Sequence, residues 1–137
     1  MKKVKKVLFV GMHNRFRSKV SEAIFDKLNK NKNFKSEGAG FLLDQSRLFV
    51  APTLIWEMKK RGYKIKREPR QLTREIANGA DIIVISADNV PEDFFFDVKA
   101  KIIKWDISDC PEIDMPCIKK TIDIIGGKVK KFVSSLK

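Results

Sequence analysis

Four apolar residues in succession, Val7 to Val10, follow a lysine-rich start to the chain. An uninterrupted apolar run of this length is typical of a parallel strand that is buried on both faces. A polar stretch then breaks the run, after which apolar residues recur with the spacing of one helix face. These are Val20, Ala23, Ile24 and Leu28. The pattern therefore predicts a strand, a tight loop and a helix that runs from about Ser18 to Lys30.

Three further segments have the pattern of strands. Ile82 to Ile85 is a continuous β-branched run that suits the centre of a parallel sheet, and Lys101 to Trp105 is the last strand. Phe34 to Gly40 is a short, weak strand that suits a sheet edge. Because helices separate the strands, the chain predicts an α/β fold with three layers, in which helices cover both faces of a four-stranded parallel sheet. Its 137 residues fit a single domain, 1–137.

Two helices are predicted between the second and third strands. The first covers residues 52–61, where Pro52 suits the first turn and Gly62 suits the end of a helix. The second is a short helix around residues 72–76, for which Thr73 is the predicted N-cap. Both lie where the alternation of strands and helices requires a crossover.

A third helix and a long closing helix are predicted further along the chain. Asp88 or Asn89 can cap the third helix, with Pro91 in its first turn. The closing helix has the clearest helical spacing in the sequence, with apolar positions that recur from Ile118 to Leu136. Gly126-Gly127 interrupts it, which predicts a kink or a close approach of the helix to the sheet.

The composition is that of a basic globular protein. Hydrophobic residues make up 43% and charged residues 34% of the chain, which excludes the disordered class. No apolar run approaches the roughly 20 residues of a membrane span, and none suits a signal peptide, so the expected location is the cytoplasm. The formal net charge is +12. Because the lysines are spread over both ends and the helix faces, they predict a solvated surface rather than a nucleic-acid interface.

The two cysteines, Cys110 and Cys117, are too few for a disulfide framework. Their expected state is two reduced thiols, as in a reducing compartment, and a redox pair is the alternative. One histidine and two distant cysteines make no metal ligand set, so neither a metal nor another cofactor is expected.

The polar stretch after the first strand carries the candidate chemistry. A loop between a strand and a helix directs backbone N–H groups and the positive end of the helix dipole toward one spot. Arg17 lies where the helix begins, and its planar guanidinium suits a phosphate or another oxyanion. The residues alone therefore predict an oxyanion cradle from Gly11 to Arg17.

This stretch resembles the phosphate-binding loop of the low-molecular-weight protein tyrosine phosphatases and the related arsenate reductases. In that family an apolar strand leads into a cysteine, five residues and an arginine, followed by a serine and a helix. Val7 to Val10 match the strand, Asn14 matches an asparagine that braces the loop, and Arg17-Ser18 match the residues that close it. Gly11 stands where the family has its nucleophilic cysteine.

The resemblance extends over nearly the whole chain and implies the strand order 2-1-3-4. It also implies a set of phosphate-binding residues, which are Gly11, Met12, His13, Asn14, Arg15, Phe16, Arg17 and Ser18. The family's general acid is an aspartate in the turn after the last strand. Asp109 is the match by position, with Asp106 as the second candidate.

Other residues of this region have expected roles as well. Histidine can accept a phosphoryl group, but the place of His13 in the loop predicts that it braces the loop or meets solvent. Arg15 is expected at the mouth, where it would attract anionic ligands. Gly38-Ala39-Gly40 resembles a serine-alanine-glycine signature of the family, and its glycines are expected to let the backbone pack close to the loop.

The resemblance implies a phosphatase-fold protein that binds phosphate or a phosphorylated ligand, such as a phosphoprotein. Gly11 implies that binding occurs without turnover, because glycine offers no nucleophile. Two alternatives stay open. One is an active phosphatase or arsenate reductase with an unrecognised nucleophile, and the other is a basic interaction module for a phosphoprotein or nucleic acid.

Overall fold

The computed structural model describes residues 3–136, which form a four-stranded parallel sheet with helices on both faces. The strands are β1 (Lys5–Gly11), β2 (Phe34–Gly40), β3 (Ile82–Ile85) and β4 (Lys101–Lys104). The α-helices are α1 (Arg17–Leu28), α2 (Pro52–Lys60), α3 (Arg74–Gly79) and α4 (Met115–Ser135). The spatial order of the strands is β2-β1-β3-β4, which confirms the predicted order and the edge position of the second strand.

The central strand β1 is buried on both faces, as its unbroken apolar run predicts. Val7 and Phe9 belong to the core between the sheet and helices α1 and α4. Leu8 and Val10 belong to a second core on the opposite face, which α3 covers. Because the side chains of a strand alternate between faces, one apolar run serves both cores.

The carboxyl ends of the parallel strands lie at one edge of the sheet, and this edge positions the candidate site. Gly11, the last residue of β1, pairs with Gly40, the last residue of β2. A Cβ atom on Gly40 would lie 2.8 Å from the backbone of both His13 and Asn14, closer than real Cβ contacts allow. The absence of a side chain on Gly40 therefore lets the loop after β1 pack directly on β2, as predicted.

The prediction of a third helix after β3 is wrong. The chain forms only a short 3₁₀ turn there, Glu92–Phe95, and no side chain within residues 3–136 caps this turn. Asp88 and Asn89, the predicted caps, instead accept hydrogen bonds from the side chain of Arg17. Their sequence pattern predicts local capping, whereas their partner Arg17 lies 71 and 72 residues earlier in the chain.

The closing helix is continuous and is not interrupted by its two glycines. It begins at Met115, and the side chain of Asp114 caps it by accepting a hydrogen bond from the Cys117 N–H at 3.1 Å. It continues through Gly126 and Gly127, where the expected close approach to the sheet does not occur. A Cβ on Gly126 would make an ordinary 3.9 Å contact with Ile24, and one on Gly127 would meet no described atom within 4 Å.

Helices α1 and α2 follow their predictions closely, whereas α3 lies further along the chain than predicted and ends at Gly79. Thr73 caps α3 by accepting from the Ile76 N–H at 3.1 Å, as expected. Gly62 follows α2 with a positive φ of 88°, a conformation that favours glycine at the end of a helix. Among the helices of residues 3–136, none combines the length and the apolar composition that crossing a bilayer requires.

Candidate functional site

The loop between β1 and α1 presents a run of backbone donors. Within residues 3–136, no protein acceptor receives a hydrogen bond from the N–H groups of Met12 through Lys19. The carbonyl side of the loop is bonded instead, since Met12 O accepts from Leu42 N at 2.9 Å and Phe16 O accepts from Val20 N at 2.9 Å. Free N–H groups at the start of a helix form an environment that favours an anion.

Asn14 braces this loop from inside. Its backbone has a φ of 55°, in the left-handed region that asparagine tolerates better than most residues. Its side-chain Nδ2 donates to Ser18 Oγ at 2.7 Å, and its Oδ1 accepts from the Arg70 N–H at 3.0 Å. His13 adds a contact to the adjoining segment, with Nδ1 and Leu42 O 2.6 Å apart. The expected bracing by Asn14 and His13 is therefore present in the geometry.

The side chain of Arg17 is buried, with 4% of its surface exposed, and lines the same cavity as the loop. Its Nη1 donates to Asp88 Oδ1 at 3.1 Å and to Ile107 O at 2.8 Å. Its Nη2 donates to Asn89 Oδ1 at 3.1 Å. Acceptors that follow β3 and β4 thus hold the guanidinium in one orientation beside the loop, as preorganised anion recognition requires.

The cavity in front of the loop has a volume of about 460 Å³, which suits a small ligand. Its lining is the loop itself, Gly11 through Ser18, together with residues of two walls. One wall comes from the segment before α2 and its first turn, and the other from the turn between β4 and α4 together with the first turn of α4. The wall residues are Arg47, Ala51, Thr53, Leu54, Asp109, Cys110, Pro111, Glu112 and Ile118.

A network of ion pairs joins the loop to both walls. Arg15 Nη2 lies 2.8 Å from Glu112 Oε1, and Arg15 Nε donates a hydrogen bond to Phe49 O at 2.7 Å. Arg47 Nη1 lies 2.9 Å from the other carboxylate oxygen of Glu112, Oε2. The hydrogen bond from Arg15 is the main cause that holds the pKa of Glu112 below its ordinary value. The charge of Arg15 is therefore paired across the mouth of the cavity, so the expectation that it serves to attract ligands is not supported by its contacts.

Of the two candidate acids, the structure brings only Asp109 to the cavity. Asp109 Oδ2 lies 3.8 Å from Arg17 Nη2, and its side chain is 54% exposed. Asp106 does not line the cavity; its side chain is 78% exposed and faces Lys104 Nζ at 3.7 Å. The geometry therefore favours Asp109, the candidate whose position after the last strand matches that of the family's general acid.

The expected pair of reduced cysteines is wrong, because Cys110 and Cys117 form a disulfide with Cα atoms 5.9 Å apart. Helix α4 begins at Met115, so Cys117 lies in its first turn, next to Cys110. The disulfide ties the turn that carries Asp109 to the start of α4. Since Cys110 also lines the cavity, this covalent link lies within the wall of the site.

Several residues contribute to the site although the sequence does not predict this role for them. Asp88 and Asn89 follow β3 at the ligand-side edge of a parallel sheet, and this position is a usable signal for a role at the site. Glu112 and Arg70 carry no comparable signal, because their partners in the loop lie 97 and 56 residues away. Only the folded chain brings them together.

Comparison with known proteins gives one consistent result. The family model for low molecular weight phosphotyrosine protein phosphatase matches residues 6–137. An arsenate reductase from Archaeoglobus fulgidus is 27% identical with a TM-score of 0.74, covering 93% of this chain and 98% of its own. A low molecular weight protein tyrosine phosphatase from T. tengcongensis is 24% identical with a TM-score of 0.83, covering 96% and 99%.

A third similar structure is Vibrio vulnificus Wzb in complex with benzylphosphonate. It is 20% identical with a TM-score of 0.83, and the match covers 97% of this chain and 99% of that protein. At this identity the likeness concerns the fold alone. None of the curated proteins matches the chain.

Proposed function

The chain belongs to the low molecular weight phosphotyrosine protein phosphatase family, and from that premise we propose that its Gly11–Ser18 loop binds phosphate or a phosphoryl group without turning it over. One observation carries the proposal. Seven consecutive backbone N–H groups, Met12 to Ser18, have no protein acceptor in residues 3–136 and lie in the same cavity wall as the buried cation of Arg17. This combination favours a compact dianion over a neutral or cationic ligand.

The absence of turnover rests on Gly11, the residue at the position of the family's nucleophilic cysteine. Glycine has no side chain that could attack phosphorus, so no covalent phosphoenzyme forms there. It also brings no thiolate charge, which would repel a bound dianion. Asp109, at the edge of the cavity, would protonate a leaving oxygen only after such an attack, and in this chain it borders the ligand instead.

The second candidate function is arsenate or phosphate-ester chemistry through another group. The Cys110–Cys117 disulfide in the cavity wall favours keeping this alternative, because reduction would supply thiols next to a bound oxyanion. His13 is a weaker candidate, since its Nδ1 is engaged with Leu42 O. Arsenate-dependent oxidation of an added dithiol, measured with and without Cys110→Ser, separates this function from simple binding.

Calorimetric titration with inorganic phosphate tests the proposal. The unaltered protein is expected to bind, and Arg17→Ala to lose at least about tenfold in affinity, because charged hydrogen bonds to the ligand are removed. Arg74→Ala is the matched control, since Arg74 lies outside the cavity and pairs with Asp97. Hydrolysis of phenyl phosphate by the unaltered protein above the level of Arg17→Ala would contradict binding without turnover.

A further inference from the structure

Ser18 occupies the space in which a side chain of residue 11 would begin. An ideal Cβ on Gly11 would lie 2.8 Å from Ser18 Oγ and 3.2 Å from Ser18 Cβ. Real Cβ atoms essentially never come within 3.0 Å of a heavy atom of a residue that is not their chain neighbour. The observed position of the Ser18 hydroxyl is therefore compatible with glycine at position 11 and with no larger residue, unless Ser18 moves.

The hydroxyl of Ser18 has an unused proton. Ser18 is fully buried and lines the cavity, and its Oγ accepts a hydrogen bond from Asn14 Nδ2 at 2.7 Å. A hydroxyl can accept and also donate, but within residues 3–136 nothing accepts from Ser18 Oγ. The bond from Asn14 occupies one lone pair and so fixes the oxygen in place. The hydroxyl proton therefore has no acceptor among the described residues.

We propose that the Ser18 hydroxyl is a direct ligand donor, which stands at the floor of the cradle in place of the missing side chain of residue 11. The inference rests on the proposed function and deepens it. The ligand is a tetrahedral oxyanion, either inorganic phosphate or the phosphoryl group of a monoester, bound without a covalent bond. A neutral donor below the anion adds a charge-assisted hydrogen bond where a thiolate would add repulsion.

Ser18 acts as a donor and not as a nucleophile. Nucleophilic attack by a serine requires a base that takes its proton. Among the described residues no carboxylate or imidazole is hydrogen-bonded to Ser18 Oγ. The nearby carboxylates of Asp88 and Asp109 face the guanidinium of Arg17. The hydroxyl therefore keeps its proton and directs it at the bound oxyanion.

The test measures the affinity for inorganic phosphate and for phenyl phosphate by calorimetry. Ser18→Ala is expected to weaken the binding of both by at least about tenfold, because a hydrogen bond to a charged group is lost. Ser18→Thr keeps the hydroxyl and is expected to restore most of the affinity. Ser21→Ala is the matched control: its buried hydroxyl bonds to Arg17 O and Ser86 Oγ, outside the cavity, so its removal should leave affinity within about twofold.

A double-mutant cycle supplies a readout that a purely structural role of Ser18 would not produce. The added Cβ of Gly11→Ala displaces the Ser18 hydroxyl and should weaken phosphate binding in the unaltered background. In the Ser18→Ala background the same substitution should change affinity little, because the donor is already absent. Equal effects of Gly11→Ala in both backgrounds would overturn the inference.

The possible results distinguish a failure of the proposed function from a failure of the role proposed for Ser18. If the unaltered protein binds neither phosphate nor phenyl phosphate, the proposed function itself fails. If it binds both and Ser18→Ala binds them equally well, only the role of Ser18 fails. Mass spectrometry after incubation with phenyl phosphate should show unmodified Ser18, and a phosphoryl group attached to it would overturn the donor role. The ratio of the affinity for inorganic phosphate to that for phenyl phosphate shows whether the site favours the free anion or a monoester.

Discussion

Replacing Gly11 with cysteine should give this protein a phosphatase activity and lower its stability. The substitution supplies the one group that the family's mechanism needs and the loop lacks. It also introduces a Cβ that would lie 2.8 Å from Ser18 Oγ and 3.2 Å from Ser18 Cβ. Ser18 must therefore rotate or shift before the loop accepts the thiol.

The size of the stability loss follows from the contacts that must change. Rotation of Ser18 breaks the bond from Asn14 Nδ2, which is worth about 1 kcal/mol. Crowding of the buried Ser18 adds about 1–3 kcal/mol, as overpacking of a well-packed site does. The free energy of unfolding should fall by about 2–4 kcal/mol. For a domain of this size that is a decrease in Tm of about 7–14 °C.

The assay is the hydrolysis of phenyl phosphate, whose poor leaving group needs a proton from an acid. Gly11→Cys should exceed Gly11→Ala by at least about a hundredfold in rate, since both add a Cβ and only one adds a nucleophile. Adding Asp109→Asn should then reduce the rate by about 10²–10⁴-fold, the range of general acid catalysis. Quenching during turnover should trap a phosphorylated cysteine.

One result would refute this reasoning. If Gly11→Cys is folded, binds phosphate and still hydrolyses phenyl phosphate no faster than Gly11→Ala, the loop does not present residue 11 in line with a bound phosphoryl group. A Gly11→Cys variant that is active while Asp109→Asn has no effect would instead remove the assignment of Asp109 as the acid.

Three further predictions concern the groups around the loop. Asp88→Asn keeps an oxygen that accepts from the Arg17 guanidinium but removes a negative charge beside the anion, so phosphate should bind about threefold more tightly by calorimetry; weaker binding would contradict this. Reducing the Cys110–Cys117 disulfide, which spans a sequence separation of 7, should lower the free energy of unfolding by about 2.5 kcal/mol. The loss is measured as a decrease in Tm when reductant is added, and the control variant Cys110→Ser should show no such decrease. The pKa of Glu112 is lowered by its hydrogen bond from Arg15. The stability that its ion pairs contribute is therefore fully present above the ordinary glutamate pKa and is lost as the pH falls through the lowered value. An NMR titration of the Glu112 carboxyl carbon with an ordinary midpoint would contradict this.

The sequence by itself predicted the layers of the fold and the loop that lines the cavity, and its resemblance to a known family implied the strand order. Unbroken apolar runs such as Val7 to Val10 indicate burial on both faces of a sheet, and this signal can be read from consecutive residues alone. The strand–loop–helix unit around Gly11 to Arg17 is likewise local. Its resemblance to a known phosphate loop therefore predicted which end of the sheet carries the cavity.

Tertiary structure alone decided how the side chains of the site are paired. Asp88 has the sequence pattern of a helix cap, yet it accepts from Arg17, which lies 71 residues earlier. Glu112 and Arg15 meet across 97 residues. Hydrogen bonds and ion pairs act over a few ångströms and leave no periodic trace in the chain, so these partners emerge only when parallel strands align their carboxyl ends at one edge.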